Sequence, residues 1–184
     1  SFPSGHSANA MGPAWAMWEC AANHRWVNYT IVVRSAETDE IKYKVAIILT
    51  IFTGVRLGEL LGLEWSDIDF NNGIISINKS SQYLADKGIF TKEPKTESSI
   101  RDVAIPDFVV SLLDEYKEWY KEQKSVYGEL WTNSNRLFVQ SGGKPMHPST
   151  ISKWFVKFVK EIGLPVINFH GLRHTNATLL ISQN

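Results

Sequence analysis

The longest apolar run in the chain, Val45 to Phe52 (VAIILTIF), limits what the sequence can fold into. A helix that spans a bilayer needs about 20 apolar residues, so this run does not cross a membrane and has to be covered by the rest of the chain. It predicts a buried helix from Ile41 to Phe52, interrupted by Thr53-Gly54. Thr38 stands where an N-cap belongs, with Asp39 and Glu40 in a favourable first turn. A chain of 184 residues can bury such a helix within one domain, or within one domain plus an extension. At 43% hydrophobic and 21% charged residues, the composition supports a packed globular core and argues against wholesale disorder.

The rest of the pattern is read from period and punctuation. Leu57 to Leu63 is a second short helix. Ser66-Asp67 and Asn71-Asn72-Gly73 are turn chemistry. Ile74 to Asn78 alternates like a strand, and Ile89–Thr91 and Ser99–Ile105 read as two more, joined as a hairpin with the polar tip Lys92 to Ser98. Pro106-Asp107 opens a helix with the apolar face Phe108, Val109, Leu112, Leu113, Tyr116, Trp119 and Tyr120, and Gly128 closes it. Leu137-Phe138-Val139 is a short apolar element before the turn Ser141–Pro145. Pro148-Ser149-Thr150 opens a helix through Ile151, Trp154, Phe155, Phe158 and Val159, ended by Gly163-Leu164-Pro165. A last helix starts near Gly171. The expected fold class is mainly α with a small antiparallel β-sheet (α+β). Residues 1–40 read differently, with Trp15, Trp18 and Trp26, no sustained period, and one possible short strand at Val27 to Val33. The expected division is therefore an atypical N-terminal segment, 1–40 (tag, fusion or remnant), and an ordered domain, 41–184.

Charge and cysteine content exclude several function classes. Lys plus Arg number 19 and Asp plus Glu 19, so the formal net charge is zero. Non-specific nucleic-acid binders are usually basic overall, so any contact with DNA has to come from a local patch. The single cysteine, Cys20, rules out an internal disulfide and a cysteine-based zinc site. It accords with a reducing, cytoplasmic setting. No basic segment leads into an apolar stretch at the start, so no secretory signal is expected.

Three polar islands interrupt the apolar elements. The first, Thr53-Gly54-Val55-Arg56-Leu57-Gly58-Glu59-Leu60, places an arginine between apolar segments, where an unpaired guanidinium is costly. Two readings fit: an arginine merely satisfied by Glu59 three residues on, or a functional cation. The second, Thr91-Lys92-Glu93-Pro94-Lys95-Thr96, puts lysines at a hairpin tip, where lysine is ordinarily just solvated. The third, Phe169-His170-Gly171-Leu172-Arg173-His174-Thr175, sets His170 and Arg173 three apart at a helix start. That arrangement suits an anion, although a cap with two structural histidines also fits. Together the islands offer arginine, lysine, histidine and arginine, with no carboxylate pair for sugar chemistry and no metal-ligand cluster, so neither metal nor cofactor is expected. Planar arginines bind phosphate oxygens in pairs, and such a set suits a phosphodiester that gains negative charge in its transition state.

The strings "TGVRLGELLGLEWSDID", "TKEPKTESSIRDVAIP" and "HGLRHTNATLL", in that order, resemble the integrase-type tyrosine recombinases of phages and transposons. The resemblance runs from Ile41 to Asn184. It implies a DNA breaking-and-rejoining catalytic domain, with Arg56, Lys95, His170 and Arg173 as catalytic residues and Glu59 and His174 in support. Lys92 is the rival for the lysine role, and the "PKT" setting favours Lys95. The family's reaction is DNA integration and recombination through a 3′-phosphotyrosyl intermediate, needing no metal or nucleotide. Its implied partner is double-stranded DNA at recombination sites, on which the intact protein forms a homo-oligomer, with no membrane involved.

The pattern also departs from the family's. The family continues to a third histidine or tryptophan and then to the nucleophilic tyrosine, whereas the last tyrosine here is Tyr127, on another helix. The usual N-terminal DNA-clamping domain is not recognised either. The expectation is a catalytic domain without its C-terminal tyrosine segment, inactive alone; the alternative is a non-catalytic DNA-binding remnant of an integrase. The opening string Ser1-Phe2-Pro3-Ser4-Gly5-His6-Ser7 resembles the central motif of type 2 phosphatidic-acid phosphatases. The flanking motifs that family needs are absent, so it is read as carrying no function.

Overall fold

The computed structural model describes residues 27, 30–35, 40–92, 100–165 and 167–173. The apolar run forms helix α1, Ile41–Thr53, which buries Val45, Ala46, Ile47, Ile48, Leu49, Thr50 and Ile51. Its buried threonines do not disturb it, because the hydroxyls of Thr50 and Thr53 donate back to the carbonyls of Ala46 and Leu49. Gly54 stops it in the left-handed region, with φ of 63°, and donates its N–H to the Thr50 carbonyl. Thr38, the expected N-cap, lies outside the described residues; the N-cap position is Glu40, which makes no side-chain cap bond. Residue 27 and residues 30–35 are helical, so the short strand expected at Val27 to Val33 does not form. The β preference of valine and isoleucine is weak against packing, and Ile31 is fully buried in the same core as α1.

Around α1 lie helix α2, Leu57–Gly62, helix α3, Asp107–Tyr127, and helix α4, Pro148–Glu161. Helix α3 buries Val109, Leu112, Leu113 and Tyr116 as its period predicts. The Tyr116 hydroxyl donates to the Leu137 carbonyl at 2.8 Å, which ties α3 to the buried Leu137-Phe138-Val139 element. Burial pushes the Tyr116 phenol far up, so it stays a neutral donor. Helix α4 begins with proline at N1, and His147 Nδ1 accepts the Ser149 N–H at 3.1 Å. Trp154 on α4 stacks on Tyr43 of α1, with centroids 4.1 Å apart and planes 9° apart.

The strands are β1, Ile68–Asp69, β2, Ile74–Ile77, β3, Ser80–Leu84, β4, Gly88–Lys92, and β5, Arg101–Ala104. All pairings are antiparallel, in one sheet of order β1-β2-β5 and a separate β3-β4 ladder. The mainly helical fold with small antiparallel sheets is thus as expected. The expected hairpin is not: β4 pairs with β3, and β5 pairs with β2. The sequence reading missed β3 because Ser80-Ser81-Gln82-Tyr83-Leu84 lacks apolar alternation, and its burial comes from one residue, Ser81. The turn that closes β3-β4, residues 85–87, leads into Gly88, whose φ of 70° is in the left-handed region that favours glycine.

Helix α2 rests directly on β3. A Cβ at Gly62 would lie 3.0 Å from the Lys79 carbonyl oxygen and 3.1 Å from the Ser81 nitrogen, and one at Gly58 would lie 2.6 Å from the Ser80 hydroxyl. These glycines, one turn apart, let the helix backbone approach the strand.

Candidate active site

Arg56 is the N-cap residue of α2, in extended conformation at φ −74° and ψ 153°. The break after Gly54 turns the chain so that Glu59, in the first helical turn, reaches back to it. Glu59 Oε2 accepts the Arg56 backbone N–H at 3.0 Å, and Oε1 accepts from Arg56 Nη1 at 2.8 Å. The two side chains differ sharply in exposure: Arg56 is 57% exposed and Glu59 only 9%. A buried carboxylate therefore anchors a guanidinium that faces outward.

Glu59 has a second cation. Arg101, at the start of β5, donates through Nη2 to Glu59 Oε2 at 2.8 Å. Burial alone would raise the Glu59 pKa, but the hydrogen bonds from Arg101 and Arg56 outweigh it and hold the carboxyl below the ordinary glutamate range. Sequence reasoning paired Glu59 with Arg56 and missed Arg101. The signal was there in part: strand alternation sets Arg101 and Val103 on the partly buried side of β5 and Asp102 and Ala104 on the exposed side.

In the third island, residues 171–173 are helical. Asn168 Oδ1 accepts the Gly171 N–H at 2.9 Å, and the His170 carbonyl accepts the Arg173 N–H at 3.1 Å. Phe169 and Leu172 are buried and fix this stretch to the core; burying a side chain of that size stabilises by roughly 1.5–3 kcal/mol. Phe169 meets Phe155 of α4 edge to face at 5.3 Å. His170 is exposed, while Arg173 is partly buried and its Nη1 has no hydrogen-bond partner among the described residues. Helix α2 also packs on α4, so the first and third islands share one supporting helix. Lys95 and His174 lie outside the described residues. Lys92 ends β4 and is exposed.

A second polar network went unread in the sequence. Arg136, only 5% exposed, donates to the carbonyls of Gly62 at 2.6 Å and Leu61 at 3.4 Å, and also to the Thr91 hydroxyl. Beside it, Lys79 bridges Glu64 and Asp67, each at 3.0 Å. This network ties the C-terminal end of α2 to β4 and to the 3-10 turn Trp65–Asp67.

Comparison with known proteins bears on the family and the fold. The model of the phage integrase family matches residues 28–184. A XerC-like tyrosine recombinase of Caldanaerobacter subterraneus subsp. tengcongensis is 32% identical over 153 residues, covering 77% of this chain and 39% of the relative. The ICEBs1 integrase of Bacillus subtilis is 32% identical over 145 residues, covering 79% of this chain and 39% of its own length. The chain thus spans about two fifths of these relatives. Among solved structures, the Tn1549 transposon integrase in complex with transposon right-end DNA superposes with a TM-score of 0.68 at 26% identity, over 80% of this chain and 48% of that one. XerA recombinase shares the fold, with a TM-score of 0.65 at 24% identity over 86% of this chain and 49% of the other. With the family's model matching from residue 28 to residue 184 and the fold shared with its solved members, the chain belongs to the phage integrase family.

Proposed function

We propose that the chain supplies most of the catalytic domain of a site-specific DNA recombinase, acting on double-stranded DNA within an oligomer of the intact protein. The observation that carries this reading is the Arg56–Glu59 clamp, in which a buried carboxylate holds a guanidinium that faces outward. A structural ion pair alone would not need its cation exposed. Arg173 Nη1, a buried nitrogen with no hydrogen-bond partner among the described residues, leaves a second guanidinium with donor capacity not used within them.

In this reading Arg56 and Arg173 converge on the non-bridging oxygens of one phosphodiester, offsetting the charge that grows at phosphorus. A tyrosine hydroxyl gives up its proton to a base or to solvent as its oxygen bonds to phosphorus, the bond to the 5′-oxygen breaks, and Lys95 protonates the departing 5′-oxygen. His170 hydrogen-bonds the phosphate or assists the proton transfer, with Glu59 and His174 in support. The 3′-phosphotyrosyl ester keeps the bond energy, so a 5′-hydroxyl from another strand can reverse the step and rejoin the DNA. No tyrosine lies among residues 174–184, so that stretch does not supply the nucleophile. Residues 41–184 are the catalytic domain without its C-terminal tyrosine segment, and the setting is the cytoplasm, on DNA.

The test uses nicked suicide duplexes that trap the covalent complex, resolved on a denaturing gel. The 184-residue chain alone gives no covalent band. The intact protein gives one, and Arg56→Ala or Arg173→Ala abolishes it. Wild-type levels of covalent complex in both variants would overturn the assignment.

A further inference from the structure

Arg101 belongs to none of the three islands as a candidate, yet it shares their central carboxylate. It lies 42 positions from Glu59 in sequence and donates to Oε2 at 2.8 Å, while Arg56 Nη1 takes Oε1 at 2.8 Å. Each oxygen of one buried carboxylate therefore faces a different guanidinium. The terminal torsion of a glutamate is broad; the Arg56 backbone N–H, 3.0 Å from Oε2, and Arg56 Nη1 hold the carboxylate from the start of α2, and Arg101 adds a second hold from β5. Arg101 is itself placed by strand register, opposite Ile77 in the β2-β5 ladder. Arg56 has no strand to hold it and carries about 2 kcal/mol of rotamer entropy of its own.

We propose that Arg101 is a positioning residue for the Arg56 guanidinium, acting through the two oxygens of Glu59. The inference rests on the reading of Arg56 as a phosphate ligand. The experiment measures single-turnover formation of the covalent complex by the intact protein that carries this chain. Two suicide duplexes are compared, one with an ordinary scissile phosphodiester and one with a methylphosphonate, in which an uncharged methyl replaces one non-bridging oxygen. The proteins are the unsubstituted form, Arg56→Ala, Arg101→Met and Arg101→Lys.

Arg101→Met is expected to slow cleavage of the phosphodiester roughly ten- to a hundredfold, the loss typical of ångström-scale misplacement, with DNA affinity unchanged. On the methylphosphonate its loss shrinks in parallel with that of Arg56→Ala, because an ester without charge has less need of a placed guanidinium. Arg101→Lys keeps a cationic donor for Oε2 and recovers most of the rate. A purely structural Arg101 would lower both substrates by the same factor, and that result overturns the proposal. So does an unchanged rate in Arg101→Met, or a loss confined to DNA affinity. Where Arg101→Met does not fold, Arg101→Lys carries the comparison, and a loss equal on both substrates is again the overturning result. If Arg56→Ala cleaves as fast as the unsubstituted protein, or that protein forms no covalent complex, the phosphate reading fails first and takes this inference with it.

Discussion

Replacing Arg136 with methionine tests how the site's framework is held. Arg136 is 5% exposed, and its guanidinium satisfies the Gly62 and Leu61 carbonyls and the Thr91 hydroxyl. Methionine fills much of the same volume, so the cavity contribution is small and the lost polar contacts dominate. The strong bond is to Gly62 at 2.6 Å; the one to Leu61, at 3.4 Å, is near the limit of a hydrogen bond. Each buried acceptor left without a donor costs about 1–3 kcal/mol. The ion pair with Glu64, at 3.9 Å and one quarter exposed on the glutamate side, adds little. The expected loss is about 3 kcal/mol. Urea unfolding followed by tryptophan fluorescence measures it, as a lower midpoint at unchanged slope. A loss below about 0.5 kcal/mol, the usual size of a surface change, would refute the claim that this buried arginine joins α2 to β4.

Gly62→Ala forces a methyl against the Lys79 carbonyl oxygen at 3.0 Å and β3 backbone atoms at 3.1 Å, and should cost about 1–3 kcal/mol by overpacking in the same unfolding assay. Gly58→Ala meets mainly the Ser80 side chain, which can rotate, so its loss should be the smaller of the two. Tyr116→Phe leaves the buried Leu137 carbonyl without its donor and should lose about 1 kcal/mol, read as a lower thermal midpoint. Glu59 titrates below its ordinary range when folded, so its contribution is present above the unfolded-state pKa and is lost as pH falls through the folded one. Glu59→Gln should therefore flatten the acid limb of the stability–pH curve; an acid limb of unchanged steepness would count against the two ion pairs.

Much of the fold was legible because its helices are written in period and punctuation. Helix α1 needed only an apolar run with Gly54 after it, and α3 needed a 3.6-residue stripe between Pro106 and Gly128. Strand pairing was not legible. Ile89–Thr91 and the stretch to Ile105 both read as strands, but nothing local says that β4 turns back to β3 across Asp86-Lys87-Gly88 while β5 reaches β2. The close seat of β3 on the α2 glycines that goes with this pairing is visible only in three dimensions. In the candidate site, the pairs close in sequence were readable: Arg56 with Glu59, and His170 with Arg173. Arg101 and Arg136 were not, because their partners are 42 and 74 residues away.

Those distant arginines explain how so short a helix can hold a catalytic candidate in place. Helix α2 has six residues, far fewer than the dozen or so an isolated helix needs even to be marginal in water. Its position is thus set entirely from outside. At its start, Glu59 takes Arg101 from β5 as well as Arg56. At its end, Arg136 collects the orphan carbonyls of Leu61 and Gly62, which no intrahelical donor can reach. Along its face, Gly58 and Gly62 seat it on β3. Each support comes from a different part of the chain, so the placement of Arg56 depends on the complete fold rather than on local propensity. The consequence is a coupling that can be measured: Arg136→Met and Gly62→Ala, both remote from Arg56 along the helix, should lower cleavage by the intact protein and not stability alone. The cycle of both substitutions should be non-additive, with a coupling of roughly 0.5–3 kcal/mol in stability, as for neighbours that share one contact surface. Strict additivity would mean that the two supports act independently, and α2 would then not be a single rigid mount.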